Sequence, residues 1–422
     1  MNAKAKRVQR TYLTLLLCNT LAASLIWGIN TIFLLDAGLS NFEAFAANAF
    51  FTAGMLVFEI PTGVMADLKG RRLSYLLGTI TLAASTLLYL FMWQVSAPFW
   101  AWAVASALLG LGFTFFSGAV EAWLVDALRA SGFTGRLESV FAKGEIIRGI
   151  AMLGGSVAGG VIAQVTNLGV PYLLRAVILL ATFVLAYFLM RDIGFTPSAN
   201  GRTVERIKRL LHQSVNVGLK RPTVRWVLLT SPFFMGAMVY AFYAMQPYLL
   251  QLYGDPHAYG IAGLAAALVA GAQIIGGAIA PHLSRLFKRR STVLLVGVVI
   301  SACVMAVTGL APHFWVVVTL LAVWSVLFSV IMPVKQAYLN AVIPTQQRAT
   351  ILSFDSLLGS AGGVVGQPLF GKAADMWGYA QSYVVAAAFQ AFAIPFALGA
   401  KRHALSRADA ITDTNFVQQQ HR

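Results

Sequence analysis

A small set of ionisable side chains lies within the long apolar stretches of this chain. A charge placed there costs several kcal/mol unless it is paired or hydrated. A carboxylate in such surroundings can bind and release a proton, and a neighbouring cation can hold it in the charged form. Charge coupling across a membrane is therefore the chemistry that these residues could perform. The acids are Glu59, Glu121, Glu145 and Asp355, and the bases are Lys143, Arg148, Arg175 and Lys335.

The histidines and cysteines do not indicate a metal site or a nucleophile. The six histidines lie in turns or near span ends, and none forms an H-E-x-x-H motif. Gly366-x-x-x-x-Gly371-Lys372 imitates a phosphate loop, but Ala373 replaces the required Ser or Thr. We therefore predict no metal, no cofactor and no enzyme activity.

Composition identifies the elements that carry these charges. Of the 422 residues, 58% are hydrophobic and only 11% are charged, whereas soluble proteins carry about 25% charged residues. Continuous apolar runs of roughly 20 residues can cross a bilayer only as helices. We predict an all-α polytopic membrane protein with twelve transmembrane helices. The predicted spans are 11–35, 42–66, 73–93, 99–128, 139–164, 171–190, 224–253, 259–282, 291–311, 314–341, 350–374 and 379–400.

The net charge of +16 is distributed by topology rather than gathered into a nucleic-acid surface. Lys and Arg cluster before span one and after every even-numbered span, whereas the short alternate turns contain none. This pattern predicts that both termini are cytoplasmic, with anionic lipids as partners at that face and no nucleic acid. We expect a multi-pass protein of the plasma membrane, which would be the inner membrane of a bacterium.

Internal similarity divides the chain into two halves. EAWLVD closes span four and KQAYLN closes span ten about 210 residues later, and Gly-rich segments follow both in the next span. We predict a six-helix bundle over 1–190, a cytoplasmic linker with an amphipathic helix over 191–223, and a second bundle with a cytoplasmic tail over 224–422.

A smaller motif recurs within this pattern. Gly63-x-x-x-Asp67-x-x-Gly70 closes span two, and Gly371-x-x-x-Asp375-x-x-Gly378 closes span eleven. The two spans end on opposite sides of the membrane, as inverted three-helix repeats within each half require.

The whole chain resembles the major facilitator superfamily. Its signature after span two, G-x-x-x-D-x-x-G-R-[RK], is met by Gly63, Asp67, Gly70, Arg71 and Arg72 without departure. The resemblance implies the fold of that superfamily and a cytoplasmic latch that closes the inner mouth. In this latch Asp67 would meet the start of span eleven, and an Arg would meet an acid closing span four. That acid is Asp126.

Two further family signatures are only partly met. In span five, G-P-x-x-G-G is matched except that Ser156 replaces Pro, and the family associates this motif with antiport. An Arg of span four is absent, because Ser106 occupies its position. Glycines of spans five and eleven are expected to pack helices closely. They are Gly154, Gly155, Gly159, Gly160, Gly362, Gly363 and Gly366.

In the family architecture span four adjoins span five, and span ten adjoins span eleven. We therefore expect Glu121 to pair with Lys143 or Arg148, and Lys335 to pair with Asp355. These residues and Glu145 are either static ion pairs near the gate or the charge-coupling site, for which Glu121 is the first candidate.

The resemblance also places spans one, four, seven and ten around a central cavity. Polar groups among apolar walls suit a small ligand. The candidate lining residues are Asn19 and Asn30 in span one, and Tyr240, Tyr243 and Gln246 in span seven.

These patterns predict a monomeric secondary transporter that moves a small molecule by alternating access. The prediction favours proton-coupled efflux of an amphipathic compound or metabolite. Import of a sugar or an organic anion is the alternative within the same class. A non-transporting sensor or a membrane-embedded enzyme is the alternative of another class.

Overall fold

The computed structural model describes residues 3–197, 218–343, 347–405 and 409–411, and these are almost entirely helical. A single antiparallel bridge, between Arg289 and Ala410, is the extended pairing within this part of the chain. The helices are α1 (Ala3–Trp27), α2 (Asn30–Asp36), α3 (Asn41–Lys69), α4 (Arg71–Gln94), α5 (Phe99–Thr114), α6 (Ala119–Ala130), α7 (Leu137–Val165), α8 (Gly169–Leu189), α9 (Pro222–Leu228), α10 (Ser231–Tyr253), α11 (Tyr259–Arg285), α12 (Arg290–Leu310), α13 (Phe314–Val342), α14 (Arg348–Ala391) and α15 (Ala393–Arg402).

The helices account for the predicted membrane spans. In the described part of the chain, ten stretches are long and apolar enough to cross a membrane, and α1 with α2, bent by 49°, form an eleventh. The stretch Thr350–Arg402 contains 53 residues. Gly378 interrupts its helical backbone with a φ of 85° and a ψ of 170°, so it comprises two spans. The prediction of an all-helical protein with twelve spans is confirmed.

Local sequence explains where α3 begins and ends. Ser40 accepts from the backbone N–H of Glu43, and the Glu43 carboxylate accepts from the backbone N–H of Ser40, which completes a capping box. At the other end Gly70 has a φ of 105°, a conformation that favours glycine, and α4 starts at the next residue.

The chain forms two compact units. The first contains Met1–Glu205, Phe242–Ala270 and Gln367–Met376. The second contains Arg206–Ala241, Gly271–Gly366 and Trp377–Arg422. The first unit has an aromatic core in which Phe33 stacks on Tyr172 with ring centroids 4.0 Å apart. The bundles predicted over 1–190 and 224–422 stay a prediction, and the amphipathic helix predicted in the linker 191–223 falls outside the described residues.

Glycines of α7 let α1 approach it closely. A Cβ at Gly155 would overlap the side chain of Ser24, and one at Gly159 would overlap the carbonyl oxygen of Leu25. A Cβ at Gly154 would meet no atom within 4 Å. The close packing expected from the sequence is therefore present at two of these three positions.

Two further predicted glycines also lie at helix crossings. A Cβ at Gly160 would be 2.8 Å from Cα of Gly263 on α11, and one at Gly362 would overlap the carbonyl of Pro232 on α10. Because backbone atoms cannot move aside cheaply, larger residues would separate these helices. Gly363 and Gly366 lie on the same helix as Gly362, α14.

Candidate functional site

The predicted latch lies at the junction of α3 and α4. A guanidinium nitrogen of Arg71 is 3.5 Å from the carboxylate of Asp67 and 3.7 Å from that of Asp126, at the end of α6. The contact with Asp126 is the one that the family resemblance implies. Arg71 therefore ties the turn after span two to the end of span four.

A third acid, Asp192, completes this junction. It accepts from the backbone N–H of Arg72 at 3.0 Å, which satisfies a free donor in the first turn of α4. A Cβ at Gly70 would overlap this carboxylate. The Arg72 guanidinium donates to the Tyr187 carbonyl at 2.6 Å and lies over the Tyr187 ring. Sequence reasoning missed Asp192, which follows span six and belongs to no motif.

The second copy of the motif makes its own contact within the first unit. The carboxylate of Asp375 accepts from the backbone N–H groups of Asn41 and Phe42, both at 2.9 Å, at the start of α3. A Cβ at Gly371 would be 2.9 Å from the Asn41 carbonyl, whereas one at Gly63 would meet nothing within 4 Å. Among the described residues, helices therefore approach closely at Gly371 of the second copy and not at Gly63 of the first.

The charge cluster of the first half joins α6 to α7. Arg148 lies 3.6 Å from Glu121 and 3.6 Å from Glu145, so Glu121 pairs with the second of its two predicted partners. Lys143 is exposed and has no ion pair among the described residues. Tyr12 of α1 interacts electrostatically with Glu121, Arg148 and Glu145, and sequence reasoning did not single it out. All three charged side chains of the cluster remain open to solvent.

The charge cluster of the second half is buried. Nζ of Lys335 on α13 donates to both carboxylate oxygens of Asp355 on α14, at 2.8 and 2.9 Å. It also donates to the Ser231 hydroxyl, which donates to Asp355 in turn. The predicted pairing of Lys335 with Asp355 is present, and Ser231 is an additional member.

The first unit contains a cavity of about 330 Å³ between α1, α2, α3, α4, α5, α7, α8 and α10. Its walls combine aromatic rings with a few polar groups, the composition typical of a small-molecule site. Two of the predicted lining residues, Asn30 and Tyr243, face it. The lining residues are Ala23, Ile26, Trp27, Asn30, Asn48, Phe51, Met55, Tyr89, Leu109, Phe113, Met152, Arg175 and Tyr243.

The other predicted lining residues lie elsewhere. Gln246 is buried and bridges the break between α1 and α2, because it accepts from the N–H of Thr31 and donates to the carbonyl of Trp27. Tyr240 is hydrogen-bonded to the Ser382 hydroxyl inside the second unit. Asn19 is half-buried on α1 and does not line this cavity.

Arg175 is the cavity residue whose importance the sequence did not reveal. It lies on α8, is 2% exposed, and donates from Nε to the Thr86 hydroxyl at 3.1 Å. Its guanidinium carbon lies 5.8 Å from the centroid of the Phe113 ring. A buried arginine that lines a cavity was visible in the sequence only as one more charge within a span.

Similarity to known proteins agrees with this architecture. The sequence model of the Major Facilitator Superfamily matches residues 12–307 and 257–417. The chain belongs to that superfamily. A transporter of the superfamily from Methanocaldococcus jannaschii, itself uncharacterised, is 20% identical over 370 residues, which cover 87% of this chain and 92% of that protein.

Solved structures of superfamily members share the fold. The nucleoside transporter NupG superposes with a TM-score of 0.73 at 10% identity, covering 96% of this chain and 99% of that one. A bacterial homologue of the human lysosomal transporter Spinster gives 0.71 at 14% identity, covering 98% and 100%. A D-xylose–proton symporter gives 0.62 at 16% identity, covering 94% and 98%. These likenesses show the superfamily fold of a multi-pass membrane protein.

Proposed function

We propose that this superfamily member is a secondary active transporter that moves a small molecule across the membrane by alternating access. The cavity carries this proposal, because eight helices converge on it and its walls offer both aromatic surface and polar side chains. Contacts of the repeated motif at the two ends of α3 support a gating role. At one end the Asp375 carboxylate lies at the helix N-terminus, and at the other Arg71 lies beside Asp126, so either contact could break when the gate opens.

Proton coupling would reside at the solvent-open cluster of the first half. Protonation of Glu121 would remove one of the two acids that hold Arg148, and the side chains are open enough for protons to exchange with water. The Lys335–Asp355 pair has an interior position and three internal hydrogen bonds, so it fits a static role in holding α13 against α14.

Efflux is the direction that we propose. The span-five glycine pattern resembles an exporter signature, and Gly155 and Gly159 seat α7 directly against α1 beside the cavity. Export by proton antiport across a bacterial inner membrane would suit a protein whose cavity is lined mainly by apolar surface.

The direct test is transport by the purified full-length chain in liposomes under an imposed pH gradient. Three probes of fixed charge would be used: ethidium as a cation, D-xylose as a neutral sugar and benzenesulfonate as an anion. We expect one probe to move faster than in protein-free vesicles and to respond to reversal of the gradient. The Glu121→Gln variant should lose that response because its side chain cannot take up a proton.

One control variant makes this result decisive. Glu138→Gln changes an exposed acid in the first turn of the same α7 that carries Arg148, and it should transport normally. Unaltered gradient response in Glu121→Gln would remove Glu121 from the coupling scheme. Absence of protein-dependent movement for all three probes would count against transport and in favour of a sensor.

Uptake of an organic anion is a second candidate, because Arg175 places a cation at the wall of the cavity. The same liposomes distinguish the two directions. Accumulation of benzenesulfonate driven by protons entering the vesicles would indicate symport, and accumulation driven by protons leaving them would indicate antiport.

A further inference from the structure

The charge of Arg175 has no counter-ion in the described part of the chain. The titratable groups that interact with it are the phenols of Tyr172, Tyr89 and Tyr243, which are neutral near pH 7. Its one hydrogen bond to a side chain goes to the Thr86 hydroxyl, which is also neutral. A buried cation without an acid is costly, and such residues inside membrane proteins mark ligand or ion sites.

The second half shows that the fold does not need a cation at this position. Gln390 on α14 donates to the Ser301 hydroxyl at 2.8 Å, and Arg175 donates to Thr86 at 3.1 Å. In each pair the donor and the acceptor are 89 residues apart in sequence, and both donors, Arg175 and Gln390, are buried. A neutral amide therefore serves the packing role in one repeat, so packing does not explain the charge in the other.

The amide of Asn48 is a second polar group of the same cavity. Asn48 accepts at Oδ1 from Asn30, but its buried Nδ2 has no hydrogen-bond partner among the described residues. Asn48 and Arg175 both line the cavity. An unsatisfied buried donor beside a cation that has no acid partner among the described residues suits a ligand acceptor that carries negative charge.

The remaining walls favour a ligand with an apolar body. Trp27, Phe51, Phe113 and Tyr89 contribute ring surface, and aliphatic side chains fill the gaps between them. We propose that Arg175 and Asn48 bind the carboxylate or sulfonate of an organic anion whose apolar, preferably aromatic, body lies against these rings. This inference rests on the proposed transport function and names the substrate class of that cavity.

The test is equilibrium binding to the purified full-length chain in detergent. Benzenesulfonate would be compared with benzenesulfonamide, its neutral isostere, and with benzyltrimethylammonium, a cation. We expect benzenesulfonate alone to bind and to raise the melting temperature. Arg175→Gln introduces the residue that the second half has at the equivalent position, Gln390. It should weaken binding at least about tenfold, because hydrogen bonds between charged groups are the strong ones.

Stability of the same variant separates a binding role from a packing role. Arg175→Gln removes an unpaired buried charge, so its melting temperature without ligand should equal or exceed that of the native chain. A lower melting temperature together with unchanged benzenesulfonate binding would overturn the proposal and make Arg175 a packing residue.

Further variants keep the test sound if Arg175→Gln does not fold. Ala23→Phe leaves Arg175 in place but fills the cavity, so it should abolish binding. Gln390→Leu alters the equivalent position of the second half and should leave binding unchanged. Equal binding of benzenesulfonate and benzenesulfonamide, or no binding of benzenesulfonate, would contradict the proposal.

Comparison with transport in liposomes separates this inference from the proposed function. Arg175-dependent binding of benzenesulfonate without movement of any probe would support the anion site and contradict transport. Movement of ethidium or D-xylose without benzenesulfonate binding would support transport and overturn the anion site.

Discussion

The two halves of the chain share a frame but use their charges differently. In the first half the Glu121–Arg148 pair is open, with side-chain exposures of 40% and 44%. In the second half the Lys335–Asp355 pair is enclosed, with exposures of 4% and 12%. An open pair can exchange protons and partners, whereas an enclosed pair with bidentate hydrogen bonds resists both.

Helix starts show how much of the frame is shared. Asp192, after span six, accepts from the N–H of Arg72 in the first turn of α4. Asp409, after the last span, accepts from the N–H of Ser291 in the first turn of α12. The same type of contact thus caps the third span of each half. Positions at which the two halves differ, such as Arg175 in the first and Gln390 in the second, are therefore the ones that indicate function.

The largest expected effect breaks the enclosed pair. Lys335→Met leaves Asp355 buried without its cation and should destabilise the protein by about 3–5 kcal/mol. Thermal unfolding in detergent would measure this loss. Glu121→Gln, which opens the exposed pair, should cost no more than about 1 kcal/mol.

A double variant sharpens that result. Lys335→Met combined with Asp355→Leu should recover most of the lost stability, because well-packed apolar residues can replace a buried ion pair. Failure to recover would show that Ser231 or the helix packing, and not the unpaired carboxylate, accounts for the loss.

The second effect compares the two copies of the glycine motif. Gly70 and Gly378 both have positive φ, at 105° and 85°, so alanine is strained at either by about 1–3 kcal/mol. Only at Gly70 would the added Cβ also collide with Asp192, since at Gly378 the nearest atom is 3.5 Å away. Gly70→Ala should therefore lower the melting temperature more than Gly378→Ala does. Equal losses would mean that Asp192 moves aside freely.

The smallest effect compares the two capping acids. Asp409 is 1% exposed and accepts two hydrogen bonds from Ser291, both at 2.7 Å, so Asp409→Ala should cost about 2 kcal/mol. Asp192→Ala, which removes one backbone bond at 3.0 Å, should cost about 1 kcal/mol. Melting curves of both variants would give the order, and the reverse order would contradict the assignment of Asp409 as the stronger cap.

Much of the frame was predictable because it rests on periodic features. Apolar runs, charge alternation and the repeat identified the helices and the superfamily, and equivalent positions in the two halves led to the pairs of Glu121 and Lys335. The roles of these residues in coupling, and of the latch, stay predictions.

Contacts made by isolated residues were not predictable. Asp192 belongs to no motif. Asn48 looks like an ordinary polar residue of a span until the structure places it beside the cavity, where its Nδ2 has no partner among the described residues. Thr86 and Arg175 are as far apart in the sequence as Ser301 and Gln390. This equal spacing identifies Arg175 and Gln390 as equivalent positions only once both hydrogen bonds are known.

Helix α3 connects the two copies of the motif mechanically. Its 29 residues form a rod of about 44 Å at 1.5 Å per residue. Asp375 holds one end, and the turn at Gly70 forms the other. Pro61 lies within this helix and has no backbone N–H to donate to the helical hydrogen-bond ladder. We therefore expect a pull at the Asp375 end to reach the turn at Gly70 along the axis of α3, with any bending at Pro61.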